Sequence, residues 1–445
     1  MRSPESKLRR DALKIFRSAL SAADAASAVQ RRVSIKSGIL VASDVRLRLR
    51  DFERIVVISA GKAAARMASA ITSVLDDRIS AGIVITKHGH AGSRLARFEV
   101  VEAAHPVPDN ASLEAAARVQ QLLRGLTARD LVILAVSGGA SALLTAPADP
   151  VSLRAKQITT DLLLRAGATI SELNAVRKHL STLKGGQLAA RAHPATVLAL
   201  LLSDVIGDPL DIIGSGPAAP DPSTFQDALA VLKKFELLDA VPSAVRLRLE
   251  QGANGKIPET PKPGDPLFEH VHNVVIGSNR LALTAAAAEA KALGWKPLIL
   301  SSTMRGETRE VARVHAEILR EIKSSGFPIR PPACVLSGGE TTVTVRGKGT
   351  GGRNQEFALA AGIEIAGLED VLVLSGGTDG TDGPTDAAGA IVTGATLGRA
   401  VELNLDPARA LRDNNSYPLF EALGDLIRTG PTGTNVMDVH LLLAG

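Results

Sequence analysis

The chain has 445 residues, of which 45% are apolar, 22% are charged and 2% are aromatic. This length and composition favour a globular protein of two or three domains with aliphatic cores, and they argue against aromatic stacking surfaces for nucleic acid. The 51 Lys and Arg residues and 46 Asp and Glu residues give a net charge of +5, which suits a small anionic substrate; because the basic residues are dispersed, they do not outline a nucleic-acid-binding face.

The N-terminal segment MRSPESKLRRDALKIF is charged throughout and lacks the apolar core of a signal peptide. The longest apolar run, residues 195–202, is far too short to cross a bilayer. The single cysteine, Cys334, excludes an internal disulfide framework and a Cys-rich zinc site. We therefore expect a cytoplasmic protein that does not contact a membrane.

Apolar strand-like runs alternate with alanine-rich helical stretches, such as residues 280–293 and 307–324. Most of the runs are continuously apolar, as expected for largely parallel strands that helices cover on both faces. This alternation predicts an α/β fold. The run at 341–345 alternates instead, and we expect it to form a hairpin with the run before it. The predicted strands are residues 55–59, 82–86, 131–136, 196–203, 273–278, 297–301, 333–337, 341–345, 371–375 and 440–444.

Two stretches rich in Gly and Pro interrupt this pattern. Residues 251–268 hold four prolines and three glycines without periodicity, which predicts a linker between domains at residues 1–250 and 269–445. Residues 203–225 directly follow a buried-type strand, so we interpret them as a functional loop.

Polar residues follow four of the predicted strands, at the carboxyl ends where open α/β sheets bind ligands. Lys62 begins an alanine-rich helix, where its ammonium could approach phosphates; the alternative is a solvent-exposed lysine. We expect the Gly/Ser turn after residues 131–136 to bind substrate or phosphate. The strand-end residues are Lys62, Ser137, Gly138, Gly139, Ser141, Asp204, Asp208, Asp379 and Asp382.

The acidic loops suit Mg²⁺, which prefers oxygen ligands and usually takes one or two carboxylates. The candidate metal ligands are Asp204, Asp208, Asp379 and Asp382. The alternative is a set of Asx-turns in Gly-rich loops. Asp386 is predicted to cap a helix over the following residues.

Residues 345–362 contain a G-x-G-x-x-G pattern before a helix predicted to open at about Asn354. It is weak as a dinucleotide fingerprint, because the preceding run alternates and the next strand does not end in an acidic residue. The loop could instead bind phosphate through backbone N–H groups and Arg353, or be a flexible loop with a surface arginine. The candidate binding residues here are Gly351, Gly352 and Asn354, with Asn435 in a later Gly/Thr loop.

Basic residues recur at helical spacing in residues 174–189. Such a pattern normally marks a solvated helix face, although it could also meet an anionic substrate. The residues are Arg177, Lys178, His179 and Lys184.

With these residues in view, the sequence resembles the class II glycerate 2-kinases, whose C-terminal part is the domain called MOFRL. The matching phrases run in order along nearly the whole chain and are far longer than a single motif. They include SAGKAA (59–64), AAHPVPD (103–109), SGGASALL (137–144), GGRNQEFALAA (351–361), SGGTDGTDGPTDAAGA (375–390) and GTNVMD (433–438).

The resemblance implies ATP- and Mg²⁺-dependent phosphorylation of D-glycerate to 2-phosphoglycerate. It also implies an N-terminal Rossmann-like domain with a mainly parallel sheet, a C-terminal α/β domain with a mixed sheet, and a site in the cleft between them. Many relatives are labelled hydroxypyruvate reductase and associated with tartrate degradation, so the alternative hypothesis for the activity is an NAD(P)H-dependent reductase. The oligomeric state is open, with a homodimer as one option. The expected catalytic residues are Lys62, Arg353, Asp204, Asp379 and Asp382, with Asn435 in the substrate site.

Overall fold

The computed structural model describes residues 4–92 and 95–445. Contacts between residues divide the chain into two compact units. The N-terminal unit is residues 25–276. The C-terminal unit is residues 277–445 together with the N-terminal residues up to Asp24. The first helix of the chain, α1 (Pro4–Ala23), therefore belongs to the C-terminal unit.

The elements of the N-terminal unit alternate between strands and helices after an initial small sheet. In chain order they are α2 (Ala25–Arg32), β1 (Val33–Lys36), β2 (Ile39–Ala42), β3 (Val45–Arg48), β4 (Arg54–Ala60), α3 (Ala64–Leu75), β5 (Ile79–Lys87), β6 (Phe98–Ala103), α4 (Asn110–Leu122), β7 (Asp130–Val136), α5 (Ala140–Leu143), α6 (Leu153–Arg165), α7 (Ile170–His179), α8 (Gln187–Ala192), β8 (Thr196–Leu202), α9 (Phe225–Lys234), α10 (Ser243–Ala253) and β9 (Val271–Gly277).

The main sheet of this unit has the strand order β6-β5-β4-β7-β8-β9, and the neighbours from β6 to β8 pair in parallel. Counted along the chain from β4, this order is 3-2-1-4-5-6, the order of the Rossmann fold. The predicted mainly parallel, Rossmann-like sheet is therefore confirmed. Strands β1 to β3 form a separate antiparallel sheet that the sequence analysis did not predict.

Helices cover both faces of the parallel sheet. Ile83 and Ile85 of β5 belong to one apolar cluster with residues of α4, whereas Val84 between them packs with α3. Alternate residues of one strand thus enter different cores, which explains the continuously apolar runs. Helices α6, α7, α9 and α10 form a further apolar cluster of their own. Capping boxes begin two of them, at Thr169 and Thr224.

The C-terminal unit has a six-stranded sheet in the order β10-β11-β15-β12-β13-β14. Strands β10 and β11 are parallel and the other pairs are antiparallel, so the predicted mixed sheet is confirmed. The elements are α11 (Asn279–Ala292), β10 (Lys296–Met304), α12 (Thr308–Ser325), β11 (Ala333–Gly339), α13 (Arg353–Glu364), β12 (Val371–Gly377), β13 (Gly389–Thr393), α14 (Thr396–Glu402), α15 (Pro407–Arg412), α16 (Ser416–Leu423), β14 (Leu426–Ile427) and β15 (Asp438–Ala444).

Helices also cover both faces of the mixed sheet. Helices α12 and α13 share an apolar cluster with Val371 and Val373 of β12. Helices α1 and α11 pack on each other and on the opposite face. There the buried ring of Phe16 lies against Gly376, which leaves no room for a larger residue at position 376. Helix α1 is therefore part of the C-terminal core although it begins the chain.

The compact units differ from the predicted domains, because the expected linker at 251–268 is bound to the N-terminal unit. The carbonyl of Pro261 accepts the N–H of Asp221 at 2.8 Å, and Thr260 donates its hydroxyl to the Asp221 carboxylate at 2.9 Å. The units meet in sequence at the end of β9 instead. The domain limits 1–250 and 269–445, like the cleft, stay predictions.

The predicted hairpin at residues 341–345 is wrong. Only Thr342 makes a bridge, to Glu307, and both edges of β11 are already paired with β10 and β15. No helix in the described ranges is long and apolar enough to cross a membrane.

Candidate functional site

The candidate site of the N-terminal unit lies where the strand order reverses, between β4 and β7. These strands are direct neighbours, and their last residues, Ala60 and Val136, are paired in register. Gly61 and Lys62 follow the first strand, and Ser137 follows the second. In doubly wound sheets, ligands bind at this switch point. The structure thus brings together the strand-end residues that the sequence analysis selected.

The two turns at the switch point are bonded to each other. The Lys62 N–H donates to the carbonyl of Gly138 at 2.9 Å, and the Ala63 N–H donates to the Ser137 hydroxyl at 3.1 Å. Gly61 has a φ of +130°, and a Cβ at this position would overlap Ser137. Only glycine fits there, so the close approach of the two strand ends depends on it.

The Lys62 side chain is exposed, and among the described residues no carboxylate forms an ion pair with it. It passes close to the left-handed Gly139, where a Cβ would lie 3.4 Å from Lys62 Cγ and 3.0 Å from His105 Cδ2. Burial lowers the pKa of His105, and the charges of Lys62 and Lys87 lower it further. The turn is therefore bordered by an unpaired ammonium and a neutral imidazole. The sequence analysis gave His105 no role, although it follows β6 inside one of the matching phrases.

Two acidic residues follow β8. Asp204 places its carboxylate over the glycine turn, because a Cβ at Gly138 would overlap its Oδ2. Asp208 lies further along the loop in the left-handed region, with a φ of +55°. Asp204 therefore adjoins the turn, whereas Asp208 shapes its own loop.

The candidate site of the C-terminal unit is built around Arg353, the first residue of α13. Its Nε and Nη2 bond the two oxygens of Asp438 at 2.6 and 3.1 Å, and its Nη1 contacts Glu340 at 3.0 Å. Burial opposes the charge of Arg353, but Asp438 and Glu340 raise its pKa. A guanidinium has five N–H donors, so two remain for a ligand. Asp438 closes the phrase GTNVMD, and the sequence analysis assigned it no role.

Asp382 caps the beginning of α13 from another loop. Its oxygens accept the backbone N–H groups of Asn354 at 3.0 Å and Gln355 at 2.8 Å. Burial raises the pKa of Asp382 to about 6, although these two N–H groups lower it. A Cβ at Gly352 would overlap the Asp382 carboxylate. Gly352 and Asp382 together thus fix the residues that carry Arg353.

Asp379 and Asn435 lie on loops that are bonded to each other. Thr378 donates its hydroxyl to the carbonyl of Met437 at 2.7 Å and accepts the N–H of Val436 at 2.8 Å. Asp379 is half-buried, and one of its oxygens accepts the Thr381 N–H at 3.1 Å. The Asn435 side chain accepts the Met437 N–H through its oxygen, which leaves its amide nitrogen available.

Asn354 and Gly351 have mainly internal contacts. The Asn354 amide donates to Asp438 at 2.9 Å, its oxygen accepts the Ser375 hydroxyl at 2.7 Å, and the residue is buried. Gly351 is packed so closely against Ser416 that a side chain would overlap it. This geometry favours positioning over direct ligand contact for both residues.

This chain is similar to several known proteins. Two family models match the chain: "Domain of unknown function (DUF4147)" over residues 11–250 and the MOFRL family over residues 333–438. A protein of Pyrococcus horikoshii named glycerate 2-kinase is 41% identical over 98% of this chain and 97% of its own. The chain belongs to the glycerate 2-kinase family. A solved structure titled glycerate kinase, from Thermotoga maritima, has 40% identity and a TM-score of 0.89 over 99% of this chain and 100% of that one.

A relative from Agrobacterium vitis is provisionally named hydroxypyruvate reductase. It is 43% identical over 88% of this chain and 87% of its own. The G-x-G-x-x-G loop does not offer a dinucleotide turn. Asn414 accepts the N–H groups of Arg346 and Gly347, and the carbonyl of Asp413 accepts that of Gly349. These amides are already bonded within the protein. The helix after the loop begins at Arg353, one residue before the prediction.

Two other expectations are wrong in this glycerate 2-kinase family member. Asp386 caps no helix, because β13 follows it; its carboxylate instead accepts the Tyr417 hydroxyl at 2.7 Å and contacts Arg428 at 3.1 Å. Residues 174–189 are not a solvated face, because Lys178, His179 and Lys184 are buried. Charge spacing could not reveal this, since the helices that cover them lie elsewhere in the sequence.

The carboxylates described above could bind Mg²⁺, but they do not form a site in which the protein supplies most of the ligands. Within residues 4–92 and 95–445, no group of three or more His, Cys, Asp and Glu side chains is arranged to hold a metal. Mg²⁺ usually needs only one or two carboxylates and keeps water and phosphate ligands. Asp379 fits this need, because it is half-exposed and only one of its oxygens accepts a protein N–H. Both oxygens of Asp382 accept N–H groups, which makes it the poorer ligand.

Proposed function

We propose that this protein transfers a phosphoryl group from Mg·ATP to the 2-hydroxyl of D-glycerate and releases 2-phosphoglycerate and ADP. The observation that carries the proposal is Lys62, which forms no ion pair with any residue that the structure describes, beside the Ser137–Gly139 turn at the switch point of the parallel sheet. The relatives named glycerate 2-kinase and D-glycerate 2-kinase support the choice of substrate. We further propose a cytoplasmic location; a homodimer stays a prediction.

Phosphoryl transfer needs positioning and charge neutralisation rather than covalent chemistry. Lys62 supplies one positive charge that no protein carboxylate neutralises among the described residues. Ser137, Gly138 and Gly139 bring backbone close to it at a helix start. This combination suits the phosphate groups of a nucleotide or the carboxylate of the acid.

Arg353 supplies the second charge in a fixed orientation. Asp438 and Glu340 take three of its donors and leave two N–H groups for the other anionic group of the reaction. Asn435 offers an amide nitrogen to a hydroxyl or phosphate oxygen. Which of Lys62 and Arg353 faces the phosphoryl group stays open.

When bound, Mg²⁺ would neutralise phosphate charge, and its candidate ligands are Asp379 in the C-terminal unit and, as the alternative, Asp204 in the N-terminal unit. A carboxylate also has to orient the 2-hydroxyl and accept its proton. Asp204, Asp379 and Asp382 are the candidates. The capping bonds of Asp382 favour the other two for this step.

The test incubates the purified protein with D-glycerate, Mg²⁺ and ATP and follows the products by ³¹P NMR. We expect a phosphate resonance coupled to the C2 proton of glycerate. Because Lys62 is exposed and unpaired, Lys62→Ala should lower turnover on the order of a hundredfold or more without lowering the melting temperature. Retained turnover in this variant contradicts the assignment of Lys62.

The same preparation is assayed with hydroxypyruvate and NADH or NADPH, because one relative has a reductase name. We expect no oxidation of either nucleotide, since the glycine loop at 347–352 has its amides bonded within the protein. Oxidation of NAD(P)H without phosphorylation of glycerate would replace the kinase proposal with the reductase.

A further inference from the structure

Three basic side chains of the N-terminal unit are near enough to influence one another electrostatically. Lys156 on α6 is 4% exposed and Lys184, in the loop before α8, is 2% exposed. Arg177 on α7 is largely buried. Among the described residues, none of the three forms an ion pair, and no acceptor bonds the Lys184 ammonium. Within residues 4–92 and 95–445, the Lys156 ammonium has one polar contact, the Thr145 hydroxyl at 3.4 Å.

The neighbouring Lys178 shows how this protein stabilises a buried lysine that belongs to its framework. Its ammonium contacts Asp211 at 2.9 Å and Asp221 at 3.2 Å, and Asp221 is fully buried beside it. Buried charges are costly unless they are paired. Lys178 thus has two carboxylate partners, whereas Lys156, Arg177 and Lys184 have none among the described residues. This difference is expected if the three basic side chains bind an anion from outside the protein.

Hydrogen bonds link the segments that carry Arg177 and Lys184 to the helix that follows the Gly/Ser turn. The Ser141 and Ser215 hydroxyls lie 2.8 Å apart, and Ser215 donates to the side chain of Asn174 at 2.9 Å. The carbonyl of Ser215 accepts the N–H of Gly185, next to Lys184, at 3.0 Å. Asn174 lies one helical turn before Arg177. Helix α5, which carries Ser141, directly follows the Ser137–Gly139 turn.

The electrostatics agree with an absent counter-charge. Burial, together with the smaller effect of the Arg177 charge, lowers the pKa of Lys156 to about 7. Burial also lowers the pKa of Arg177 to about 10. Burial and the charges of Lys156 and Arg177 hold the pKa of Lys184 well below its ordinary value. An anion among these groups would favour their charged forms.

We propose that Lys156, Arg177 and Lys184, with Ser141 and Ser215, form a binding site for an oxyanion, either a carboxylate or a phosphate group. This pocket is named the cationic pocket. Its existence does not depend on the kinase activity, because these side chains are buried and lack carboxylate partners among the described residues whatever reaction the protein catalyses. If the kinase proposal holds, the two sources of the oxyanion are the hydroxy acid and the nucleotide.

The first test measures the melting temperature of the protein with and without inorganic phosphate. Lys184→Met removes the charge and keeps an aliphatic chain of similar length. We expect this variant to melt about 2 °C or more above the wild type in phosphate-free buffer, because an apolar side chain replaces a buried amine that lacks a hydrogen-bond partner. Phosphate should raise the melting temperature of the wild type but not of the variant.

Lys233→Met is the matched control, because Lys233 is exposed on α9 and changes the net charge equally. It should keep the full response to phosphate. Lys156→Met is the second variant and should repeat the result of Lys184→Met if that protein is poorly produced. An equal phosphate response in Lys184→Met, Lys156→Met and the wild type overturns the cationic pocket.

Calorimetric titrations with D-glycerate and with ADP separate the two sources. Loss of about tenfold or more in D-glycerate affinity in Lys184→Met assigns the pocket to the acid, and the same loss for ADP assigns it to a nucleotide phosphate. Unchanged affinity for phosphate, D-glycerate and ADP overturns the proposal. Failure of the kinase assay is a separate result, because phosphate binding is read without turnover.

Discussion

Lys62 and Arg353 have the same charge in opposite surroundings. Lys62 is exposed and forms no ion pair among the described residues, so no carboxylate fixes its ammonium. Its backbone N–H is bonded to the carbonyl of Gly138. Arg353 is fixed by the buried Asp438 and by Glu340. Removal of either charge should affect the reaction, but only the loss of Arg353 leaves a buried carboxylate without its partner.

Arg353→Ala should therefore lower both turnover and stability. We expect turnover to fall on the order of a hundredfold. The free energy of unfolding should fall by about 3 kcal/mol, because Asp438 remains buried and unpaired. The double variant Arg353→Met with Asp438→Asn should regain most of the melting temperature and none of the turnover. Kinetics and thermal denaturation of the same preparations check both effects, and normal turnover in Arg353→Ala would exclude a role in the reaction.

The cap residue Asp382 should give stability a distinctive pH dependence. Its pKa is raised from 3.8 to about 6, so between these values the folded protein holds a proton that the unfolded chain releases. The contribution of Asp382 is complete below pH 3.8 and is lost as the pH rises through 6. For one proton the change is at most about 1.4 kcal/mol per pH unit.

Asp382→Asn should remove this component from urea unfolding measured between pH 4 and 6 in buffer with a chelator. The remaining slope includes that of Asp438, whose burial also raises its pKa. Asp386→Asn is the control, because hydrogen bonds from Tyr417 and Arg428 lower the pKa of Asp386, so its contribution has the opposite sign. An unchanged slope in Asp382→Asn would show that the carboxyl is ionised throughout.

At the scale of elements, continuous apolar runs located the long strands correctly but not their directions. Strand β15 is buried on both faces and antiparallel to both neighbours, and periodicity cannot distinguish it from a parallel strand. The alternating run at 341–345 satisfied the strand pattern and is a loop, since β11 has no free edge. The direction and partners of a strand depend on distant residues that local pattern does not contain.

The same reason limits what the sequence reveals about the site. Lys62, Ser137 and Asp204 were predictable, because each directly follows a recognisable strand. Asp438 and His105 were not, because their importance lies in contacts with residues far away in the chain. The basic residues of 174–189 had the pattern of a solvated helix face, and only the packing of the helices shows that Lys178, His179 and Lys184 are buried.

Gly61→Ala should disturb the strand ends at the switch point. The new Cβ would overlap Ser137, and the alanine would have to keep a backbone φ of +130°, which L-residues disfavour. We expect a lower melting temperature and a higher KM for ATP or D-glycerate. Gly125→Ala is the matched control, because it has a φ of +66° with nothing within 4 Å. Equal effects of the two variants would mean that backbone strain alone, not the contact with Ser137, is responsible.

At the scale of the whole molecule, the two compact units have separate cores and should respond separately to core substitutions. Phe16 on α1 and Phe225 on α9 are each 1% exposed, the first in the C-terminal unit and the second in the N-terminal unit. They provide a matched pair of identical side chains.

Phe16→Ala should destabilise its unit by about 3–5 kcal/mol. Hydrogen exchange should then quicken in β12 and β15 and stay slow in β4 and β7. Phe225→Ala should give the reverse pattern. Equal loss of protection in both units after either substitution would mean that the molecule unfolds as one cooperative body.

The place of β15 has a consequence for synthesis. The strand at residues 438–444 lies in the middle of its sheet, between β11 and β12, so those strands expose their inner edges to solvent until it leaves the ribosome. The N-terminal unit is one continuous segment and can fold while translation proceeds. The C-terminal unit cannot complete its sheet until β15 has been synthesised, although its first helix, α1, is made before the N-terminal unit. Unpaired edges are aggregation-prone, so this unit is the part of the nascent chain that most needs a chaperone.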